Sequence, residues 1–143
     1  MKNQKEFTTS LKKHFLKVTP KREAVIDLFS RRKDYLSPQE VWAILRKKFD
    51  QVGLPTTYRI LEELSSIGLL FRIESSDQQL YYGFCRHEDR AHHHHHFICR
   101  KCHSIIELSE CLFEHTEKIL RQKLKCKPER HIFQVEGLCA KCR

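Results

Sequence analysis

Two Cys-x-x-Cys pairs constrain this chain more than any other feature. Cys99 and Cys102 form the first and Cys139 and Cys142 the second, with 36 residues between them. Two such knuckles supply four thiolates at the corners of a tetrahedron, the coordination that zinc takes in structural sites, with Zn–S distances of about 2.3 Å. A thioredoxin-like redox motif explains one Cys-x-x-Cys but leaves the other idle. A disulfide framework is not expected, because the N-terminal MKNQKEFTTS lacks the apolar region of a signal peptide and the sequence contains no stretch of 18 apolar residues. The expected compartment is therefore the cytoplasm, where thiols stay reduced, and no membrane partner is expected. Cys111 and Cys126 lack a comparable partner and are expected to pack as small hydrophobes.

Charge then separates the two ends of the chain. Of 143 residues with a formal net charge of +9, residues 1–33 hold ten Lys and Arg against Glu6, Glu23 and Asp27, a local balance of +7. A basic segment of that density favours a polyanion, and nucleic acid is the usual one; the alternative is a solvated basic surface. The same half is punctuated as short helices. Phe7, Leu11 and Phe15 repeat at i, i+4 and i+8, and Thr19 ahead of Pro20 caps a helix carrying Val25, Ile26, Leu28 and Phe29. In SPQE, Ser37 caps, Pro38 suits the first helical position and Glu40 completes a capping box ahead of Val41, Leu45 and Phe49. A further helix is predicted from about Thr56 to Ile67, stopped by Gly68, with Ile60, Leu61, Leu64 and Ile67 buried and Arg59, Glu62 and Ser66 facing out. LLFRIE and QLYYGF around SSDQ read as a hairpin. This order is that of a winged helix-turn-helix, with a ligand-free helical bundle as the alternative.

From Cys85 onward the character changes. HHFICR, SIIEL and RHIFQVEG read as strands, and residues 110–125 as a helix with Leu112, Phe113, Ile119, Leu120 and Leu124. Such a domain, of about 60 residues, is marginal alone, which makes a structural zinc and a partner subunit physically reasonable. The run His92 to His96 enters the first of these strands. Side chains of a strand alternate between faces, so His92, His94 and His96 point one way while His93 and His95 point the other. Such a run can serve two metal sites. Cys85 and Glu107 are candidate partners for His94 and His96; Glu114 and His131 are candidates for His93 and His95.

KVTPKR, LSPQEVW, GLPTTYRILEELSSIGLL, HHHHHFICRKCHSIIEL and CAKC, in that order, resemble the ferric uptake regulator family of metal-sensing repressors over nearly the whole chain. The resemblance implies an α+β fold: an N-terminal winged helix-turn-helix DNA-binding domain (1–83), a hinge near 83–91, and a C-terminal α/β dimerisation domain (84–143). It implies a homodimer that binds palindromic operator DNA when a regulatory metal is bound. Cys99, Cys102, Cys139 and Cys142 match the structural zinc ligands; His93, His95, Glu114 and His131 match the site between strand and helix. Tyr58 and Arg59 match the residues of the DNA-facing helix. Lys17, Lys21, Arg22 and Thr57 complete the expected DNA contacts.

Cys85 resembles the linker cysteine of the zinc uptake branch, whereas the ligands usual in iron and peroxide sensors are not found at Tyr35 in DYLSPQE or in LYYGFC. A thiolate shifts preference toward zinc. The expected regulatory set is Cys85, His94, His96 and Glu107, the fourth donor being open because Phe71 stands where several zinc regulators place a ligand. Iron or manganese remains the alternative regulatory metal. A metal joining the hinge cysteine to the strand histidines would fix the angle between the domains and so the spacing of two wings. A zinc hydrolase would need an open coordination position and a general base, and no HExxH or comparable segment is present, so neither catalysis nor a small-molecule substrate is expected. A zinc-stabilised DNA-binding module without sensing would need only the four cysteines.

Overall fold

The computed structural model describes residues 9, 11–76, 78–84, 95–108, 113–129 and 131–143. The chain divides into two compact units between residues 88 and 89.

In the first unit, α1 (Pro20–Ser30) opens where Thr19, in extended conformation, accepts the Arg22 N–H on its hydroxyl at 3.3 Å. The second helix, α2 (Pro38–Leu45), begins with the expected reciprocal box: the Ser37 hydroxyl accepts from the Glu40 N–H at 3.2 Å and the Glu40 carboxylate from the Ser37 N–H at 2.7 Å. Helix α3 (Leu54–Ser66) starts two residues earlier than predicted, since Pro55 sits comfortably in a first turn where its missing N–H is not needed. It stops ahead of Gly68, which takes the left-handed φ of 73°. Strands β1 (Leu70–Glu74) and β2 (Leu80–Phe84) pair antiparallel from Leu70↔Phe84 to Glu74↔Leu80, and Leu36 bridges to Tyr82 on the other edge. The core of this unit gathers Leu11, Val25, Phe29, Val41, Leu45, Leu61, Leu64 and Tyr82, so all three helices and the hairpin share one apolar centre.

Phe15 departs from the expected helical stripe. The helical residues end at Lys13, and the chain closes with crossed bonds: the Leu16 N–H reaches the Leu11 carbonyl at 2.9 Å and the Phe15 N–H the Lys12 carbonyl at 3.0 Å. That is a Schellman turn, and it returns Leu16 toward the core beside Leu11. Phe15 takes the left-handed position, φ 58°, and is 97% exposed.

In the second unit, β3 (His95–Cys99), β4 (Ile105–Leu108) and β5 (Gln134–Gly137) form one sheet in the order β4-β3-β5. β4 runs antiparallel to β3 and β5 parallel to it, with Cys99 level with Gly137. The last strand is shorter than RHIFQVEG suggested, and His131 precedes it. Helix α4 (Phe113–Gln122) buries none of its residues within the described chain. Leu124 lies beyond its end and is exposed. Cys126, expected to be packed, is also exposed, its thiol donating to the Leu124 carbonyl at 3.5 Å. Phe7, Cys111 and Leu112 lie outside the described residues.

Candidate metal centre and nucleic-acid interface

Both knuckles form at strand ends. Cys99 closes β3, and its carbonyl accepts the His103 N–H at 2.9 Å while its N–H donates to the Ser104 carbonyl at 2.9 Å. His103 takes a left-handed φ of 60°, which turns the chain tightly enough to bring Cys102 back over Cys99. Two residues past β5, the Cys142 N–H donates to the Cys139 carbonyl at 2.9 Å. The parallel β3–β5 register sets the two turns side by side. All four sulfur atoms consequently lie within 4.8 Å of one another.

The arrangement fits zinc. A tetrahedron of four sulfurs at about 2.3 Å from zinc has edges of about 3.8 Å, and Cys102 Sγ and Cys139 Sγ stand 3.7 Å apart. Cys99 and Cys139 are buried. Backbone N–H groups, that of Cys102 first and that of Cys139 next, bring the Cys99 thiol down to about 6. The Ser104 hydroxyl lowers Cys102. Cys142, hydrogen-bonded to Cys102 and then to Cys139, is instead pushed up to about 12. Crowded sulfurs that favour a thiolate at one corner and hold a proton at another are the pattern that a dication relieves. Among the described residues this is the one group of three or more potential ligands drawn together.

The two faces of β3 carry different histidines. His95 is 4% exposed; its Nε2 lies 3.3 Å from Nε2 of His131, and its ring meets Phe133 edge-on. Phe113 of α4 stacks on the His131 ring at 4.0 Å. Glu114 follows Phe113 but is exposed and does not join these two histidines in a ligand cluster. His96 is 8% exposed, with Nε2 closed off from solvent, and stands directly opposite Glu107 across the β3–β4 pair. Directly paired residues project to one face of a sheet. Cys85, His93 and His94 lie outside the described residues.

On the first unit, Arg59 is exposed on α3, and the Tyr58 hydroxyl accepts from Gln39 Nε2 at 3.2 Å. Lys17 is exposed, and Lys21 Nζ donates to the Gln51 carbonyl at 2.5 Å, holding the loop that leads into α3. Two expected contacts have other roles. Thr57 is 0% exposed with its hydroxyl on the Gly53 carbonyl at 3.2 Å, because it lies on the same stripe as Ile60, Leu61 and Leu64. Arg22 binds one Glu63 oxygen through Nε and Nη2, at 3.0 and 2.5 Å, and the Lys17 carbonyl through Nη1 at 2.7 Å, bracing α1 against α3. Sequence reasoning missed Tyr82, which is fully buried and whose hydroxyl donates to Glu62 of α3, with Arg72 of β1 on the same carboxylate at 3.6 Å. Burial and this carboxylate push the Tyr82 phenol well above its ordinary value. The outward face of α3 is thus tied to the β1–β2 hairpin.

Residues 13–136 match the model of the ferric uptake regulator family. The ferric uptake regulation protein of Bacillus subtilis is 35% identical over 127 residues, covering 88% of this chain and 85% of that protein. The zinc uptake regulation protein of Mycobacterium tuberculosis is 30% identical over 125 residues, covering 87% and 93%. Among solved structures, a zinc uptake regulator complexed with zinc and DNA aligns over 99% of this chain and 95% of its own at 25% identity, with a TM-score of 0.78. The Helicobacter pylori ferric uptake regulator aligns over 96% and 89% at 28% identity, with a TM-score of 0.67. With a winged helix, a three-stranded second unit and a four-cysteine cluster all in place, this chain belongs to the ferric uptake regulator family, whose members are metal-dependent transcriptional regulators and not enzymes.

Proposed function

We propose that this chain is a zinc-responsive repressor that binds palindromic operator DNA as a homodimer. The observation that carries the sensing reading is the placing of two buried histidines, His95 and His96, on opposite faces of β3, outside the four-cysteine cluster. A scaffold needs the cysteines alone; donors beyond them are the means of responding to a second ion. Cys99, Cys102, Cys139 and Cys142 hold the structural zinc. Cys85, His94, His96 and Glu107 form the regulatory set, and His93, His95, Glu114 and His131 a second set in the dimerisation domain, 84–143.

Zinc in these sets supplies a crosslink between chain segments and no chemistry. When held, the segment joining the two domains samples fewer conformations, and apparent operator affinity rises with the competent fraction. Coupling is reciprocal, so operator DNA tightens zinc binding by the same factor. Arg59 and Tyr58 read bases while Lys17 meets phosphates. Support for a partner subunit comes from Ile106, Leu124, Ile132 and Leu138, all exposed in the second unit, and from α4, which buries nothing of its own.

Iron is the second reading, favoured by the 35% identity to the Bacillus subtilis ferric regulator. The thiolate of Cys85 tips the choice to zinc. Operator affinity against buffered free zinc, iron and manganese tests it. Zinc at the lowest free concentration should activate the wild type; Cys85→Ser and His94→Ala should both lose that activation while keeping the dimer and its four-cysteine zinc, and His93→Ala should give a weaker or distinct defect. An unchanged zinc midpoint and amplitude in Cys85→Ser removes that residue from the sensor and returns the choice to iron or manganese.

A further inference from the structure

Phe15 is the most conspicuous misfit between residue and place in the first unit. The fifth residue of a six-residue helix-terminating turn of this kind, in left-handed conformation, is ordinarily glycine, because a side chain there crowds its own backbone. Here the position holds a phenylalanine at φ 58°, and the residue is 97% exposed, so its ring is not packed into the core of the described residues. The backbone on either side is firmly set. Leu11 before it is fully buried, Leu16 after it packs on the core, and both crossed hydrogen bonds are made. The turn therefore presents the ring outward from a fixed base. Backbone strain that persists without a structural return points to use elsewhere.

The neighbours say what kind of surface would receive it. Lys12, Lys13 and Lys17 are all exposed, and with Lys2, Lys5, Lys21, Arg22, Arg31, Arg32 and Lys33 they belong to the segment of residues 1–33 that carries ten cations against three acids. A partner that faces those lysines must be an anion with apolar surface within reach. Duplex DNA has both, in its phosphates and in the sugar and base edges lining its grooves, and architectural proteins seat apolar side chains there. We infer that Phe15 is an apolar DNA contact, its ring packed on the sugar and base edge of a groove whose phosphates the flanking lysines hold. This inference rests on the DNA-binding reading above and adds to it a contact outside the recognition helix. The ring carries no charge, so its contribution should be independent of salt.

The test uses full-length zinc-loaded protein and a duplex enriched by the wild type from a randomised pool. Phe15→Gly keeps the turn, since glycine is the natural occupant, and should melt no lower than wild type without DNA. Its affinity for the selected duplex should fall about tenfold, the scale of losing the burial of one apolar side chain. The slope of log affinity against log salt should match wild type, whereas Lys17→Ala should reduce it by about one. Phe15→Trp should bind within about threefold of wild type, because the contact needs a flat apolar ring. A Phe15→Gly protein that binds within about twofold of wild type overturns the inference. So does one that melts lower, which would make the ring part of the fold, or one that sediments as a smaller species with DNA affinity per dimer intact, which would give the ring to a second copy of the chain. Wild-type protein that enriches no duplex at all removes the DNA-binding reading itself, a result separate from any behaviour of the variants.

Discussion

Arg22 and Arg59 carry the same charge in the same unit, yet their surroundings assign them opposite work. Arg22 is spent on Glu63, with both side chains mostly buried, while Arg59 stands in solvent on the outward side of α3. Arg59→Ala should leave the melting temperature unchanged and weaken specific operator binding by roughly 1 to 3 kcal/mol, the range of a good base contact. Arg22→Ala should do the reverse, lowering stability by about 1 to 2 kcal/mol, between the values for exposed and fully buried pairs. Denaturant titration beside operator titration separates the two; equal effects of both variants on operator affinity at unchanged stability would return Arg22 to the DNA face. The sequence announced Arg59, since it lies off the apolar stripe of Ile60, Leu61 and Leu64. It could not announce Arg22, whose partner is 41 positions away. Thr57 was legible and misread: it stands three, four and seven places before those same apolar residues, which puts it inside.

At the scale of elements, helices with local punctuation were readable before any fold was known. Thr19, Ser37 with Glu40, and Gly68 each fix a boundary through bonds or torsions within a few residues. Phe15 escaped because an i+4 pattern says nothing of where a helix stops, and the turn that ends this one is made by backbone bonds. Equally invisible was the tie between recognition helix and wing. Tyr82 exchanges backbone hydrogen bonds with Leu36 at 3.0 and 2.9 Å and sends its hydroxyl to Glu62. Tyr82→Phe keeps the ring in the core and removes only that hydroxyl. Stability should fall by about 1.5 to 3 kcal/mol, the worth of a hydrogen bond to a charged group, and operator affinity should fall with it as α3 loses its fixed seat against β1 and β2. A variant as stable as wild type, with the same affinity, would reduce this contact to ornament.

For the molecule as a whole, the four-cysteine cluster was the most legible feature, because its spacing alone called for a tetrahedral ion and the parallel pairing of β3 with β5 supplied the means. The histidine sets were legible as alternation along a strand, with Glu107 and His131 named as candidate partners but not placed. That His95 meets His131 and His96 faces Glu107 follows from the sheet order β4-β3-β5, which no local pattern encodes. Cys102→Ser should release one zinc per chain, unfold the second unit and abolish the dimer, since metal binding in small domains is folding free energy. Metal analysis with sedimentation checks it. A dimer that melts as wild type does while lacking zinc would show that the sheet holds without the ion.

The cluster also has a calendar. Its first half, Cys99 and Cys102, closes a β3–β4 hairpin from neighbouring residues, but its second half arrives with Cys139 and Cys142 after 36 further residues. At about 5 to 20 residues per second the ribosome needs about 2 to 7 s to cover that distance. Every newly made chain passes through that interval with a dithiol and no completing partners, open to whatever metal or oxidant the cell then holds. With two of its four sulfurs a chain cannot close a tetrahedral site, so an ion can lock the second unit only once the last residues of the sequence have been added.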